Sequence, residues 1–86
     1  MNDKKISIIY TAYLHLKGYG IVDLAQRNDE LLALEAFDDL VDEANLDTFG
    51  EGIYEVSLMK DLFDEKGHYI KGKRIKHIQI DRGDEI

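Results

Sequence analysis

The segment from Ile53 to Ile80 reads IYEVSLMKDLFDEKGHYIKGKRIKHIQI, and it decides the fold of this 86-residue chain. Tyr54, Val56 and Leu58 recur at every second position, which is the spacing of a strand with one buried face. The following Asp-Glu-Lys-Gly sequence carries Asp at the first and Gly at the fourth position, as type I turns prefer. The spacing therefore predicts a β-hairpin, with strands over Ile53–Phe63 and His68–Ile80 joined by the turn Asp64–Gly67.

Pairing of these two strands about the turn leads to specific expectations. Asp61 is expected near Lys71 and Glu55 near His77, as cross-strand charge pairs of the exposed kind that contribute about 0–1 kcal/mol each. Gly72 weakens a strand interior, so a bulge or bend is expected there. The last residues, Asp81–Ile86, are expected to form a frayed tail.

The first third of the chain predicts two more strands. Apolar and polar residues alternate from Ile6 to Leu16, and the run is rich in β-branched and aromatic side chains. Lys17-Gly-Tyr-Gly20 is a turn signal, after which Ile21–Ala25 returns as a short second strand.

A single amphipathic helix is expected over Asp29–Ala44. Asn28 or Asp29 can cap its first turn, and Asp29 and Glu30 favour the positive end of the helix dipole. Apolar residues recur at steps of three and four and form one stripe, made up of Leu31, Leu34, Phe37, Leu40, Val41 and Ala44. The sequence Asp23-Leu-Ala-Gln26 resembles a capping box, so a helix that starts at Leu24 is the competing prediction.

The sequence therefore predicts an α+β fold in one small domain, residues 1–86. Its elements follow the order β-β-α-β-β, and a single antiparallel β-sheet packs one amphipathic helix on one face. The physical reason is that the apolar stripe of the helix and the alternating faces of the strands have only each other to bury against.

Charge divides the chain sharply. Residues 23–55 carry eleven acids and one base, whereas Lys66–Ile80 carries five bases and no acid, within a total formal charge of −7. The acids on the helix have two interpretations: a solvated outer face that keeps the protein soluble, or a surface for a basic partner. Candidate partner-binding residues are Glu35, Asp38, Asp39, Asp42 and Glu43, with Phe49 on a glycine-flanked loop as an apolar anchor.

The basic segment has three interpretations. Its lysines can pair with acids of the same fold or guard an edge strand against pairing with another chain. They can bind phosphate or nucleic acid, against which the sequence pI near 4.8 counts. They can also meet the acidic helix of a second copy in a homodimer. Candidate nucleic-acid-binding residues are Tyr69, Lys71, Lys73, Arg74 and Lys76.

Signatures of catalysis are missing from the sequence. The chain has three His and no Cys, and no spacing typical of a zinc site. Its glycine pairs are too short for a phosphate-binding loop, and its Ser and Thr residues lack the context of a nucleophile. We therefore expect neither an enzyme nor a metal or cofactor site. No apolar segment approaches the ~20 residues needed to span a bilayer, so a membrane role is not expected.

In size, acidity and simple α+β composition the whole chain resembles the small acidic inhibitor proteins of bacteriophages and mobile elements, including anti-CRISPR and other anti-defence proteins. The resemblance rests on no shared motif. It implies a protein of the bacterial cytoplasm that blocks a CRISPR effector or another nucleic-acid-binding complex by occupying its basic surface. The alternatives are a small nucleic-acid-binding module that uses the basic strand, and a structural homo-oligomeric subunit.

Overall fold

The computed structural model describes residues 5–46 and 50–83. Its elements are β1 (Ser7–Leu16), β2 (Gly20–Arg27), α1 (Glu30–Asn45), β3 (Gly52–Phe63) and β4 (Tyr69–Arg82). The strands form one antiparallel sheet in the order β2-β1-β3-β4. The α+β class, the single antiparallel sheet and the order β-β-α-β-β are confirmed.

The buried residues form one cluster shared by the sheet and the helix. Alternate residues of the two central strands contribute Tyr10, Ala12, Leu14, Tyr54, Val56 and Leu58, and α1 contributes Ala33, Ala36, Phe37, Leu40 and Ala44. Three of the five buried helix residues are alanines. Their short side chains let the helix backbone lie close to the sheet, and they leave Phe37 and Leu40 as the large apolar groups that fill the interface.

The helix begins where the sequence places its cap. Asp29 is extended, with φ −126° and ψ 133°, and its carboxylate accepts a hydrogen bond of 3.1 Å from the backbone N–H of Leu32. The competing start at Leu24 is wrong, because residues 23–26 belong to β2, where Ala25 pairs with Ala12. Pairing with the central strand β1 stabilises these residues more than a capping box would.

The edge strand β2 runs two residues further than expected, to Arg27. Its pairing with β1 shifts between Leu14 and His15, which leaves Val22 without a direct partner. This bulge turns Val22 toward the core cluster, against which it packs. Ile21 and Leu24 stay exposed on the other side of the sheet.

Two expectations about β4 need correction. Pairing with β3 shifts at Ile70 and at Ile75, so the bulges lie on either side of Gly72, which itself pairs regularly with Asp61. The strand also continues to Arg82, so the frayed tail expected from Asp81 is wrong for residues 81 and 82, and residues 84–86 lie outside the described residues. Arg82 is held because its guanidinium donates hydrogen bonds to the carbonyls of Ala44 and Leu46 at the end of α1.

The sheet is longer than the helix that packs on it. The start of α1 lies at Tyr10, whose hydroxyl donates to Glu30 over 3.4 Å, and its end lies at Arg82. Tyr10 pairs with Lys60, so the remainder of the β3–β4 hairpin projects past the start of the helix. We call residues 60–74 the hairpin extension. It makes the molecule elongated, with extents of 62 × 23 × 16 Å.

Within the described ranges, no helix has the length and apolar character needed to cross a membrane.

Candidate binding surfaces

The outer surface of α1 is a row of carboxylates. Glu35, Asp38, Asp39 and Asp42 are all exposed, and their spacing of three and four residues places them along one side of the helix. We call these four residues the acidic face. Four of the five acids expected on this surface are therefore gathered on it.

Little in the fold neutralises the acidic face. Lys76 lies 3.9 Å from Asp38, and this is the one ion pair that the face makes with the described residues. Both side chains of that pair are largely exposed, at 47% and 70%, so it contributes about 0–1 kcal/mol. The last turn of the helix carries no basic residue. Glu35, Asp39 and Asp42 thus present their charges outward.

Glu43 behaves differently from the acidic face. It is half-buried and faces the edge strand, where its carboxyl group shares a hydrogen bond with Asp23. Burial raises the pKa of Glu43 above its ordinary value of 4.5, and the hydrogen bond and the negative charge of Asp23 raise it further. Glu43 is therefore part of the contact between helix and sheet, in contrast to the outward role expected for it.

Exposed leucines flank the acidic face at both ends. Leu31 is 72% exposed before it and Leu46 is 60% exposed after it, and Leu31, Glu35, Asp42 and Leu46 follow one helical stripe. The apolar stripe in the sequence predicts that Leu31 is buried, and this prediction is wrong. The signal for its exposure was the run of alanines at 33, 36 and 44, which bury a different side of the helix. Phe49, the expected apolar anchor, lies outside the described residues.

The five residues expected to bind nucleic acid do not share one surface. Lys76 lies over the Phe37 ring, with its ammonium 4.8 Å from the ring centroid, and so belongs to the helix contact. Tyr69 is paired with Phe63 on the side of the sheet away from the helix, and their rings meet edge to face at 5.8 Å. Arg74 pairs with Met59 on that same side. Lys71 and Lys73 remain together on the opposite side.

The sequence analysis missed a third lysine on the same side of the sheet as Lys71 and Lys73. Lys60 of β3 pairs directly with Lys73, and Leu62 pairs with Lys71. These residues and Gly72 line a depression of about 260 Å³ on the hairpin extension. The turn at Asp64–Gly67 fixes this register only when the bulge at Ile70 is also known. The lysine cluster could therefore be predicted from the sequence only in part.

The cross-strand pairs expected in the hairpin are half confirmed. His77 lies 3.8 Å from Glu55, which is an ion pair when the imidazole is protonated. Asp61 faces Gly72 instead of Lys71, because the extra residue at Ile70 shifts the register. Lys71 is thereby left without an acid opposite it.

Among the described residues, no three His, Asp or Glu side chains gather in a way that could hold a metal ion. Comparison of the chain with protein-family models, with curated proteins and with solved structures gives no match. The acidic face and the lysine depression are therefore interpreted from their charge, exposure and spacing.

Proposed function

We propose that the protein is a non-enzymatic inhibitor whose acidic face occupies a basic surface of a protein partner. The observation that carries this proposal is the row of exposed carboxylates on α1, of which one makes an exposed ion pair and three make none with the described residues. A rigid helix holds these charges in fixed positions, so they can take the places of phosphates on a surface built for nucleic acid.

The energetics of the helix favour a functional origin for these acids. Asp38 and Asp42 are like charges four residues apart, as are Glu35 and Asp39, and each such pair weakens a helix by about 0.2–0.5 kcal/mol. Acids near the helix end also oppose its dipole. A solvated face of mixed charge would keep the protein soluble without this cost, so a partner that supplies positive charge accounts better for the pattern.

The leucines at the ends of the acidic face indicate what kind of partner it is. Leu31 and Leu46 expose apolar surface beside the carboxylates. Interfaces between proteins combine apolar contacts with complementary charge, and the charge speeds association and fixes register. A basic protein surface with apolar patches matches this arrangement. We propose a nucleic-acid-binding complex of the bacterial cytoplasm, with a CRISPR effector as one instance of the class.

Charge reversal with a matched control tests the proposal. The variant Glu35→Lys/Asp39→Lys/Asp42→Lys alters the acidic face, and Glu51→Lys/Glu65→Lys/Asp81→Lys makes the same change of charge at exposed sites elsewhere. Each immobilised protein is incubated with bacterial lysate, and the retained proteins are quantified by mass spectrometry. We expect nucleic-acid-binding proteins on the wild type, at least about tenfold less on the first variant, and full retention on the control.

Two results would overturn the proposal. Equal loss of retention in both variants would mean that net charge, and not the acidic face, governs binding. A homodimer in light scattering that is lost both in the acidic-face variant and in Lys71→Gln/Lys73→Gln would make a second copy the basic partner. Circular dichroism and urea unfolding of each variant show whether it is folded.

A further inference from the structure

We infer that the hairpin extension binds the phosphodiester backbone of a nucleic acid through Lys60, Lys71 and Lys73. This site lies apart from the acidic face, and the inference does not depend on the proposed function. The observation behind it is a cluster of three lysines around one depression, which Leu62 and Gly72 also line.

Strand register brings the three lysines together. Lys60 and Lys73 are directly opposite each other on β3 and β4, and Lys71 lies two residues along the same face from Lys73. Directly opposed residues have Cβ atoms about 5 Å apart, and residues two apart along a strand are about 7 Å apart. Like charges opposite each other destabilise a sheet. An anion between the ammonium groups removes that repulsion.

The described residues supply no ion-pair partner to this cluster. None of the three lysines makes an ion pair with another described residue. Asp61 is the adjacent acid on β3, and it lies on the other side of the sheet, where a Cβ placed on Gly72 would collide with it and with Tyr69. On the near side, the Lys60 ammonium lies 6.0 Å from the centroid of the Tyr10 ring. Tyr10 in turn donates to Glu30.

The acidic face offsets the field of the cluster only in part at physiological salt. Asp38 reaches β4 at Lys76, which pairs with Leu58 of β3. Lys73 pairs two residues further along β3 and Lys71 four residues further, which is about 7 and 13 Å. The Debye length is about 8 Å at 0.15 M salt, so screening weakens the effect of Asp38 most at Lys71. The pI of the whole chain is therefore not a measure of the local potential at the hairpin extension.

The form of the site favours a polymer backbone over a small phosphate ligand. Small ligands bind in clefts of roughly 300–1,000 Å³ that bury most of their surface. The depression on the hairpin extension, at about 260 Å³, is smaller than that range. Lysines act as point charges without the planar fork that reads base edges. The exposed ring of Tyr69 is on the opposite side of the sheet, and the Tyr10 ring beside Lys60 is buried, so neither ring offers these lysines a stacking platform. Binding through phosphates alone is independent of sequence.

Fluorescence anisotropy with short labelled oligonucleotides tests the inference. The probes are single-stranded DNA, duplex DNA and RNA of one sequence, titrated with wild type, with Lys71→Gln/Lys73→Gln, and with Lys17→Gln/Arg27→Gln as a control of equal charge change. We expect wild-type binding that weakens from about 50 to about 200 mM salt. Loss of Lys71 and Lys73 should weaken affinity at least about tenfold. It should also make the plot of log affinity against log salt concentration less steep, by about 0.7 per lysine on single strands and about 0.9 per lysine on duplex.

Three outcomes would overturn the inference. Wild type that shows no anisotropy change with any probe at low salt does not bind nucleic acid. Equal weakening by the control variant would assign the effect to net charge. Binding that is unchanged in Lys71→Gln/Lys73→Gln would place the site elsewhere on the protein. Because the acidic face is intact in all these proteins, failure here leaves the proposed inhibitor function standing.

Discussion

The ammonium group of Lys76 lies 4.8 Å from the centroid of the Phe37 ring and 3.9 Å from the carboxylate of Asp38. This contact is where the basic strand meets the acidic helix. Past it, β4 runs beyond the start of the helix, and this part of the strand carries Lys71 and Lys73. Among the described residues, Lys76 and Asp38 form the one ion pair between the acidic face and the basic residues of β4.

Replacing Lys76 should cost stability, whereas replacing Lys73 should not. Lys76→Gln removes the contact with Phe37 and the ion pair with Asp38, together worth about 0.5–1.5 kcal/mol. Lys73→Gln relieves the repulsion with Lys60 and should leave the free energy of unfolding unchanged or raise it by up to about 0.5 kcal/mol. Urea unfolding of both variants measures this, and equal destabilisation would contradict the distinction between the two lysines.

Arg82 should stabilise the contact between β4 and the end of α1. Its guanidinium donates to the carbonyls of Ala44 and Leu46, which the helix leaves unsatisfied, and its charge complements the helix dipole. Arg82→Ala should lower the free energy of unfolding by about 1–2 kcal/mol. Arg74→Ala, on the exposed part of the same strand, should change it by less than about 0.5 kcal/mol. Similar losses in both would argue against this role of Arg82.

Glu43 should make stability depend on pH above 4.5. Since the folded state raises the pKa of Glu43 above 4.5, it binds the proton more tightly than the unfolded chain does. The free energy of unfolding must then fall as pH rises from about 4.5 through the folded pKa. Glu43→Gln removes this fall and should be more stable than wild type at neutral pH, with little difference at acidic pH. Asp23→Asn should act in the same direction.

The measurement is urea unfolding of wild type, Glu43→Gln and Asp23→Asn across this range of pH. If the free energies of unfolding of wild type and Glu43→Gln differ by a constant amount from about pH 4 to about pH 8, the raised pKa of Glu43 is contradicted.

Gly72→Ala should destabilise the hairpin extension through a clash on the side of the sheet away from the helix. A Cβ at this position would lie 2.6 Å from the hydroxyl of Tyr69 and would also collide with the carboxylate of Asp61. Overpacking of this kind costs about 1–3 kcal/mol, and the lower end is expected because both atoms end mobile side chains. Tyr69→Phe in the Gly72→Ala background should recover part of the loss in urea unfolding. No recovery would place the strain elsewhere.

Much of the fold was predictable because it is encoded locally. The turn at Asp64–Gly67 forms with the expected hydrogen bond of 2.9 Å from the Gly67 N–H to the Asp64 carbonyl, and Asp29 caps the helix as its side chain predicts. Each of these features depends on a few neighbouring residues. The two long strands of the hairpin followed from alternation and from this turn.

The surfaces were harder to predict because they depend on bulges. A residue without a partner, such as Val22, Ile70 or Ile75, shifts every later pair, and nothing in a single sequence marks which residue that is. The bulge at Ile70 moved Gly72 opposite Asp61. The acidic face needed no such information, because helical spacing alone gathers Glu35, Asp39 and Asp42. The side of the helix that is buried was set by its alanines, which a count of large apolar residues overlooks.

The most direct test of the acidic face is competition for the partner's nucleic acid. A partner retained through this surface is purified, and its affinity for labelled DNA is measured as the protein is added. The Lys71→Gln/Lys73→Gln variant is used so that the hairpin extension does not contribute. We expect the partner's DNA affinity to fall progressively, and the fall to vanish when Glu35→Lys/Asp39→Lys/Asp42→Lys is added to that variant. A ternary complex with undiminished DNA affinity would contradict occupation of the nucleic-acid surface.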